Sequence, residues 1–233
     1  MKKTVLVIAA HPDDEVLGCG GTIAAHHRAG DEVHVVIMAE GMTSRLPKRN
    51  RSAFVKELKA LGQAARKANK ILGATSVTLL DFPDNRMDSL ARLDITKAVE
   101  ELVKKFQPSI VYTHHVGDVN IDHRCIHDAV ITACRPLPGH SVDTILFWET
   151  CSSTEYQPPH SAPPFLPNWW NDISATLELK LEALRAYHQE MRPWPHARSL
   201  EAVEHLARWR GASVGMQAAE AFMLGRKINK REK

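Results

Sequence analysis

Cysteine is scarce in this chain and shows no pattern. The 233 residues include four cysteines (Cys19, Cys125, Cys134, Cys151), and none has the CxxC spacing of a zinc knuckle or a dithiol redox motif. No secretory leader is expected: Lys2-Lys3 precedes an apolar stretch that is short and runs directly into His11-Pro12-Asp13-Asp14. The four thiols are therefore expected to be reduced and the protein cytoplasmic. No window approaches the length of a transmembrane helix, so no membrane span is expected. Charge of one sign is also lacking. Thirty Lys and Arg against 27 Asp and Glu leave a net +3, without a basic stripe, so nucleic acid is not an expected partner. The one dense basic cluster, Lys48-Arg49-Asn50-Arg51, reads as a solvated loop or helix start, with recognition of an anionic substrate second. The tail Arg226–Lys233 reads as a frayed terminus. Phosphate-binding signatures are missing too. There is no GxxxxGK[ST]; Gly18-Cys19-Gly20-Gly21 is not GxGxxG, and the acidic residues before it would repel a pyrophosphate.

What is present is an alternation of strand and helix signals over the first two-thirds of the chain. This predicts an α/β fold, a Rossmann-like, mostly parallel sheet with helices on both faces. Strands are expected at Thr4–Ala9, Glu32–Ala39, Ser76–Leu80, Ser109–Thr113 and Thr144–Trp148. Helices are expected at Glu15–Arg28, Ser52–Leu72, from Ser89 or Asp94 to Phe106, and from near Ile121 to before Pro136. After Cys151 the character changes. Gln157–Pro167 contains five prolines and should be an extended loop. Asp172–Tyr187 and Ser199–Arg210 read as helices, and Val214–Leu224 as helix or strand. The expectation is one domain over 1–233, with an α/β core over 1–150 and a C-terminal helical extension over 151–233 that packs on the active-site edge.

Two strands run straight into chemistry. The first ends in His11-Pro12-Asp13-Asp14-Glu15, and three neighbouring carboxylates repel one another unless something positive joins them. The fourth ends in His114-His115-Val116-Gly117-Asp118-Val119-Asn120-Ile121-Asp122-His123. Ligands in open α/β sheets sit beyond the C-terminal strand ends, where strand order reverses. His11, Asp14 and His123 could converge there as three metal ligands with a position left for water, the layout of catalytic rather than structural zinc. Each residue also has a plainer reading. Asp13 or Asp122 could cap a helix, His114 more often would be a hydrogen-bonded core histidine, and the glycines could serve helix–strand packing.

His11-Pro12-Asp13-Asp14-Glu15 with Gly18-Cys19-Gly20-Gly21-Thr22, together with Asp118-Val119-Asn120-Ile121-Asp122-His123, resembles the PIG-L/LmbE family of zinc-dependent de-N-acetylases. The likeness extends through Phe82-Pro83-Asp84 and Arg192-Pro193-Trp194-Pro195-His196-Ala197-Arg198. The resemblance implies a hydrolase that removes the acetyl group from an N-acetylglucosamine-containing small molecule or glycoconjugate. It implies Zn2+, or another divalent metal, on His11, Asp14 and His123. Asp13 would be the general base, Asp122 the partner beside the last ligand, and His196 the acid or oxyanion donor. Arg45 and Asp84 would contact the sugar. Several members carry a histidine where this chain has Asn120. Asn120 can bind substrate but cannot titrate, so an acid role would pass to His196 or His114, His114 being also a substrate-contact candidate. A homo-oligomer is expected, in which His196 would act in its own subunit or in a neighbour's. The competing readings are a zinc amidase of the same fold acting on a thiol–sugar conjugate or other N-acyl compound, and a metal-dependent sugar or nucleotide binder without turnover.

Overall fold

Val5 to Ala9 are fully buried, as a central parallel strand covered on both faces requires. They form strand β1 (Thr4–Ala9) in a computed structural model that describes residues 2–229. The chain continues through α1 (Asp14–Arg28), β2 (Glu32–Ala39), α2 (Val55–Leu72), β3 (Ser76–Phe82), α3 (Arg92–Phe106), β4 (Ile110–His114), α4 (Ile121–Ala133) and β5 (Thr144–Trp148). β6 (Trp169–Asp172), α5 (Leu177–Ala186), α6 (Leu200–Ala212) and β7 (Ala219–Lys227) complete it. The sheet order is β3-β2-β1-β4-β5-β7-β6. The first five are parallel, β7 is antiparallel to β5, and β6 is antiparallel to β7.

The alternation of β1 sorts the core into two layers. Val5, Val7 and Ala9 share one core cluster with residues of α1, α2, α5 and α6, whereas Leu6, Ile8 and Ala10 share the other with residues of α3 and α4. Strand order reverses between β1 and β4, because β2 and β3 lie to one side and β5 to the other. The two histidine- and aspartate-bearing loops leave the carboxyl ends of those two strands. They therefore open onto one crevice, as the topology of such sheets predicts.

The C-terminal segment departs from its expected form. It is not only helical, because β6 and β7 extend the sheet. The expected helix from Asp172 begins at Leu177. Trp169–Asp172 instead pairs with β7, Trp169 opposite Phe222 and Asp172 opposite Ala219. Asp172 Oδ1 accepts from the Ser174 amide at 2.8 Å and turns the chain, while Ile173 is buried just before the helix starts. Of the two readings of Val214–Leu224, the strand is the one found. Arg226 and Lys227 belong to β7, and the Arg226 guanidinium donates to the carbonyl of Cys134 at 2.6 Å, so this part of the tail is not frayed. Residues 230–233 lie outside the described residues. Neither Ser89 nor Asp94 caps α3, whose N-cap is Ala91.

The glycine-rich turn has a structural explanation. α1 breaks at Cys19 (φ −146°, ψ 26°), and the amides of Gly21 and Thr22 beyond the break donate to the Glu220 carboxylate at 2.9 and 2.7 Å. These amides bind an anion, as helix starts do, but the anion is a side chain of β7. A Cβ on Gly18 would stand 2.3 Å from the Trp148 ring and one on Gly21 would stand 2.8 Å from Ile173. Both glycines are set by close packing.

Candidate active site

The turn after β1 places two adjacent carboxylates in opposite surroundings. Asp13 adopts φ 106°, a left-handed conformation unusual for a non-glycine residue. Its amide donates to Glu15 Oε2 at 3.1 Å, and its carbonyl accepts from the amides of Val16 and Leu17, which opens α1. The twist separates the side chains. Asp14 Oδ2 lies 3.2 Å from His11 Nδ1 and 3.1 Å from His123 Nε2. Asp13 Oδ2 instead accepts from Arg198 Nη1 at 3.1 Å.

His11, Asp14 and His123 each offer one ligand atom, all within 4.8 Å of one another. The set fits a metal ion. Both ring nitrogens of His123 are buried without an aligned hydrogen-bond partner, a costly arrangement unless something binds there. Two nitrogens and a carboxylate oxygen suit zinc among the divalent metals. The histidines and carboxylates shift one another's affinity for protons. Burial alone would lower His123, but the Asp14 and Asp118 carboxylates raise it to about 9. Burial alone would raise Asp14, but His123, His11 and His114 hold it well below the usual carboxylate range. A cation at this point would take over the charge that those protons supply.

Carboxylates orient both histidines from behind. Asp122, fully buried, sits with Oδ2 3.0 Å from His11 Nε2 and accepts the amides of Asn85 and Met87 at 2.7 and 2.9 Å. His123 Nδ1 faces Asp118 Oδ2 at 3.1 Å. Thr154 Oγ1 donates to Asp118 at 2.7 Å and Ser153 Oγ also donates to it; burial alone would raise its carboxyl, but His123, helped by the Ser153 hydroxyl, lowers it to about 2. The pairing differs from the expected one: Asp118, not Asp122, faces His123, and Asp122 faces His11. Sequence adjacency misleads here because side chains of consecutive helical residues leave the axis in different directions. His11 also forms a group with Asp84 and Asp122, whose two oxygens accept main-chain amides as well.

The crevice beside these ligands is a cavity of ≈ 390 Å³. Its wall includes Asp13, Arg45, Asp84, Asn120, Glu190 and Arg198 together with His11, Asp14 and His123. Arg45, with a half-exposed side chain, pairs with Glu190 at 3.5 Å. Asp84 is buried, accepts the Ser44 amide at 3.0 Å and stands 3.4 Å from His11. Asn120 is the N-cap of α4: its oxygen accepts the Asp122 amide at 2.9 Å, and its nitrogen donates to Asn85 at 2.9 Å. Both ends are thus engaged.

Neither of the two histidines expected to supply an acid lines the cavity of its own chain. His114 is fully buried behind the ligands and is not part of the cavity wall. Its Nε2 accepts the Ala10 amide at 2.8 Å, it stacks on His123 at 3.9 Å, and burial, reinforced by His123, holds its pKa well below 6.5. It is a neutral support, the plainer of its two readings. His196 is exposed and outside the cavity wall, and its Nδ1 accepts the Arg198 amide at 2.9 Å. The motif that carries them turns its histidine out and its arginine in. Arg198, Glu190 and the Asp118–His123 pairing are the features that reasoning from sequence did not assign. The signal for Arg198 was the same Arg192–Arg198 motif.

Comparison with known proteins places this geometry. The family model PIG-L, GlcNAc-PI de-N-acetylase, matches residues 6–134. The Escherichia coli K12 protein described as uncharacterized deacetylase YaiS is 33% identical over 157 residues, 65% of this chain and 76% of that protein. The diacetylchitobiose deacetylase of Thermococcus kodakarensis is 26% identical over 211 residues, 81% of this chain and 70% of its own length. The crystal structure of GalB, the 4-carboxy-2-hydroxymuconate hydratase of Pseudomonas putida KT2440, superposes with a TM-score of 0.77 over 100% of both chains at 23% identity. The fold is therefore shared by deacetylases and a hydratase. With more than half of its length matched by the family model, the chain is an enzyme of the PIG-L family.

Proposed function

We propose that this enzyme is a zinc-dependent de-N-acetylase of an N-acetylglucosamine-containing small molecule or glycoconjugate. The observation that carries the reading is the division of labour between two adjacent buried carboxylates, Asp14 facing His11 and His123, and Asp13 facing the cavity. A carboxylate that binds metal loses basicity, so a hydrolase needs a second one off the metal. A protein that only bound sugar or nucleotide would have no use for it.

His11, Asp14 and His123 would hold the metal, which when bound polarises a carbonyl and activates water. Asp13 takes the proton as water adds to the acetyl carbon. Burial and the neighbouring carboxylates raise its pKa while Arg198 lowers it, which leaves a carboxylate able to hold a proton and return it. The C–N bond then breaks with its electron pair on nitrogen, and nitrogen takes the proton from Asp13. Amine and acetate are the products. Asp122 keeps the His11 ring in place, and Arg45, Asp84 and Asn120 are the side chains positioned to meet the sugar.

The test is acetate and amine release from a panel of N-acetylated amino sugars, including N-acetylglucosamine, diacetylchitobiose and a thiol–sugar conjugate, with and without a chelator. Chelator-sensitive release from the sugars supports the reading. Turnover of the thiol–sugar conjugate alone favours the amidase alternative, and metal-dependent binding without release favours the binder.

A further inference from the structure

The cavity contains a cation in contact with the base, and none of the roles above uses it. We propose that Arg198 is a catalytic residue, the charged donor to the acetyl oxygen as the acetyl carbon becomes tetrahedral. The proposal rests on the de-N-acetylase reading.

The guanidinium is held before any substrate arrives. Nη1 donates to Asp13 Oδ2 at 3.1 Å, and Nε donates to Ser152 Oγ at 2.9 Å. The main chain is pinned on both sides: the Arg198 amide donates to His196 Nδ1 at 2.9 Å, and its carbonyl accepts from the Arg192 amide at 3.1 Å. The next residue, Ser199, caps α6 through the Ala202 amide at 3.0 Å. Nη2 has no hydrogen-bond partner among the described residues, and Arg198 lines the cavity. Of the other candidate donors, none is hydrogen-bonded to Asp13, as Arg198 is. His114 lies behind the ligands, His196 faces outward, both ends of the Asn120 amide are engaged, and Arg45 pairs with Glu190.

The movement of charge in the addition step suits a group at this position. The water oxygen bonds to the acetyl carbon, the C=O π pair moves onto the carbonyl oxygen, and the water proton moves to Asp13. Negative charge leaves Asp13 and arrives on the acetyl oxygen in one event. A guanidinium in contact with Asp13 has the carboxylate as partner before that event and the oxyanion after it. Its planar fork offers N–H groups to both without reorienting. Collapse returns the π pair to carbon, expels the C–N pair onto nitrogen and sends the Asp13 proton after it.

Arg198→Ala and Arg198→Gln in the zinc-loaded protein test this. Loss of a preorganised oxyanion donor lowers kcat by about 10²–10³, so kcat should fall by that factor in both variants. KM should stay within about threefold, because the interaction belongs to the transition state. Zinc content should be unchanged, and added guanidinium ion should restore part of the Arg198→Ala rate. Methylphosphonate, a tetrahedral anion, should bind both variants at least about tenfold more weakly than wild type by calorimetry, following the same lost donor. If Arg198→Ala proves unfolded, Arg198→Gln, which keeps a neutral donor to Asp13, decides. A raised KM with kcat unchanged, or unchanged methylphosphonate affinity in a folded variant, would overturn the proposal. A wild type that releases no acetate but binds methylphosphonate through Arg198 would overturn the de-N-acetylase reading and keep Arg198 as the anion donor.

Discussion

Asp122 Oδ2 stands 3.0 Å from Nε2 of His11, a residue in the turn after β1, although His123 follows it immediately in the chain. The aspartate is fixed in turn by two main-chain amides from the segment after β3. Three loops are thereby tied to one imidazole. The ring presents Nδ1 to Asp14 because Nε2 is already committed, which is how a carboxylate selects the tautomer and orientation of a metal-binding histidine.

Removing either orienting carboxylate should therefore weaken metal binding with all three ligands intact. Asp122→Asn and Asp118→Asn are each expected to lower zinc affinity by about 10–100-fold, read by competition with a chromophoric chelator. Wild-type affinity in both would mean that the histidines are oriented by packing alone.

Asp13 and His123 should fail differently. Asp13→Asn should keep its zinc and lose about 10²–10⁴ in turnover, the usual contribution of a general base. His123→Ala should lose the metal itself. Metal analysis of the purified variants separates the two, and full zinc content in His123→Ala would refute its role as ligand.

How much of this was legible beforehand varied with the physics of each element. β1, β2, β4 and β5 are readable because buried parallel strands are predominantly apolar runs, and α2 because Gly73 ends it in a left-handed conformation (φ 78°). The ligand trio could be anticipated, since two strands that end in histidine and aspartate meet where strand order reverses. β6 could not be read: it is four residues long, and its conformation comes from pairing with β7 some fifty residues on. The partners of the ligands were hidden for a similar reason. Whether Asp122 faces His11 or His123 depends on how α4 is rotated against the turn after β1. His196 and Arg198 sit in a segment without periodicity, so which one points inward depends on the backbone path.

The Lys180–Glu220 pair that fills the break in α1 should be an asymmetric stability element. The side chains are 4% and 3% exposed and meet at 2.6 Å. Glu220→Gln leaves an uncompensated buried ammonium and should cost about 3–5 kcal/mol in unfolding free energy. The double variant Lys180→Met with Glu220→Gln should lose less than the two single changes combined. Denaturant midpoints provide the comparison, and strict additivity would show that the two groups do not act as a pair.

Glu15 gives the metal-free protein a predictable pH dependence. Burial raises its carboxyl from 4.5 to about 7, although Tyr187 and Asn69 donate hydrogen bonds that lower it. A carboxyl with a folded-state pKa above its unfolded value makes the folded state bind the proton more tightly. Its contribution to stability is therefore complete below about pH 4.5 and is lost as pH rises through about 7. The gap corresponds to at most about 3 kcal/mol. Glu15→Gln cannot ionise, and its altered hydrogen bonds to Tyr187 and Asn69 add an offset that does not vary with pH. The Tm of zinc-stripped Glu15→Gln, measured relative to zinc-stripped wild type, should accordingly climb between pH 5 and pH 8. A Tm difference that stays flat across that range would mean that Glu15 is ionised in the folded protein throughout, with its three donors fully offsetting the cost of burial.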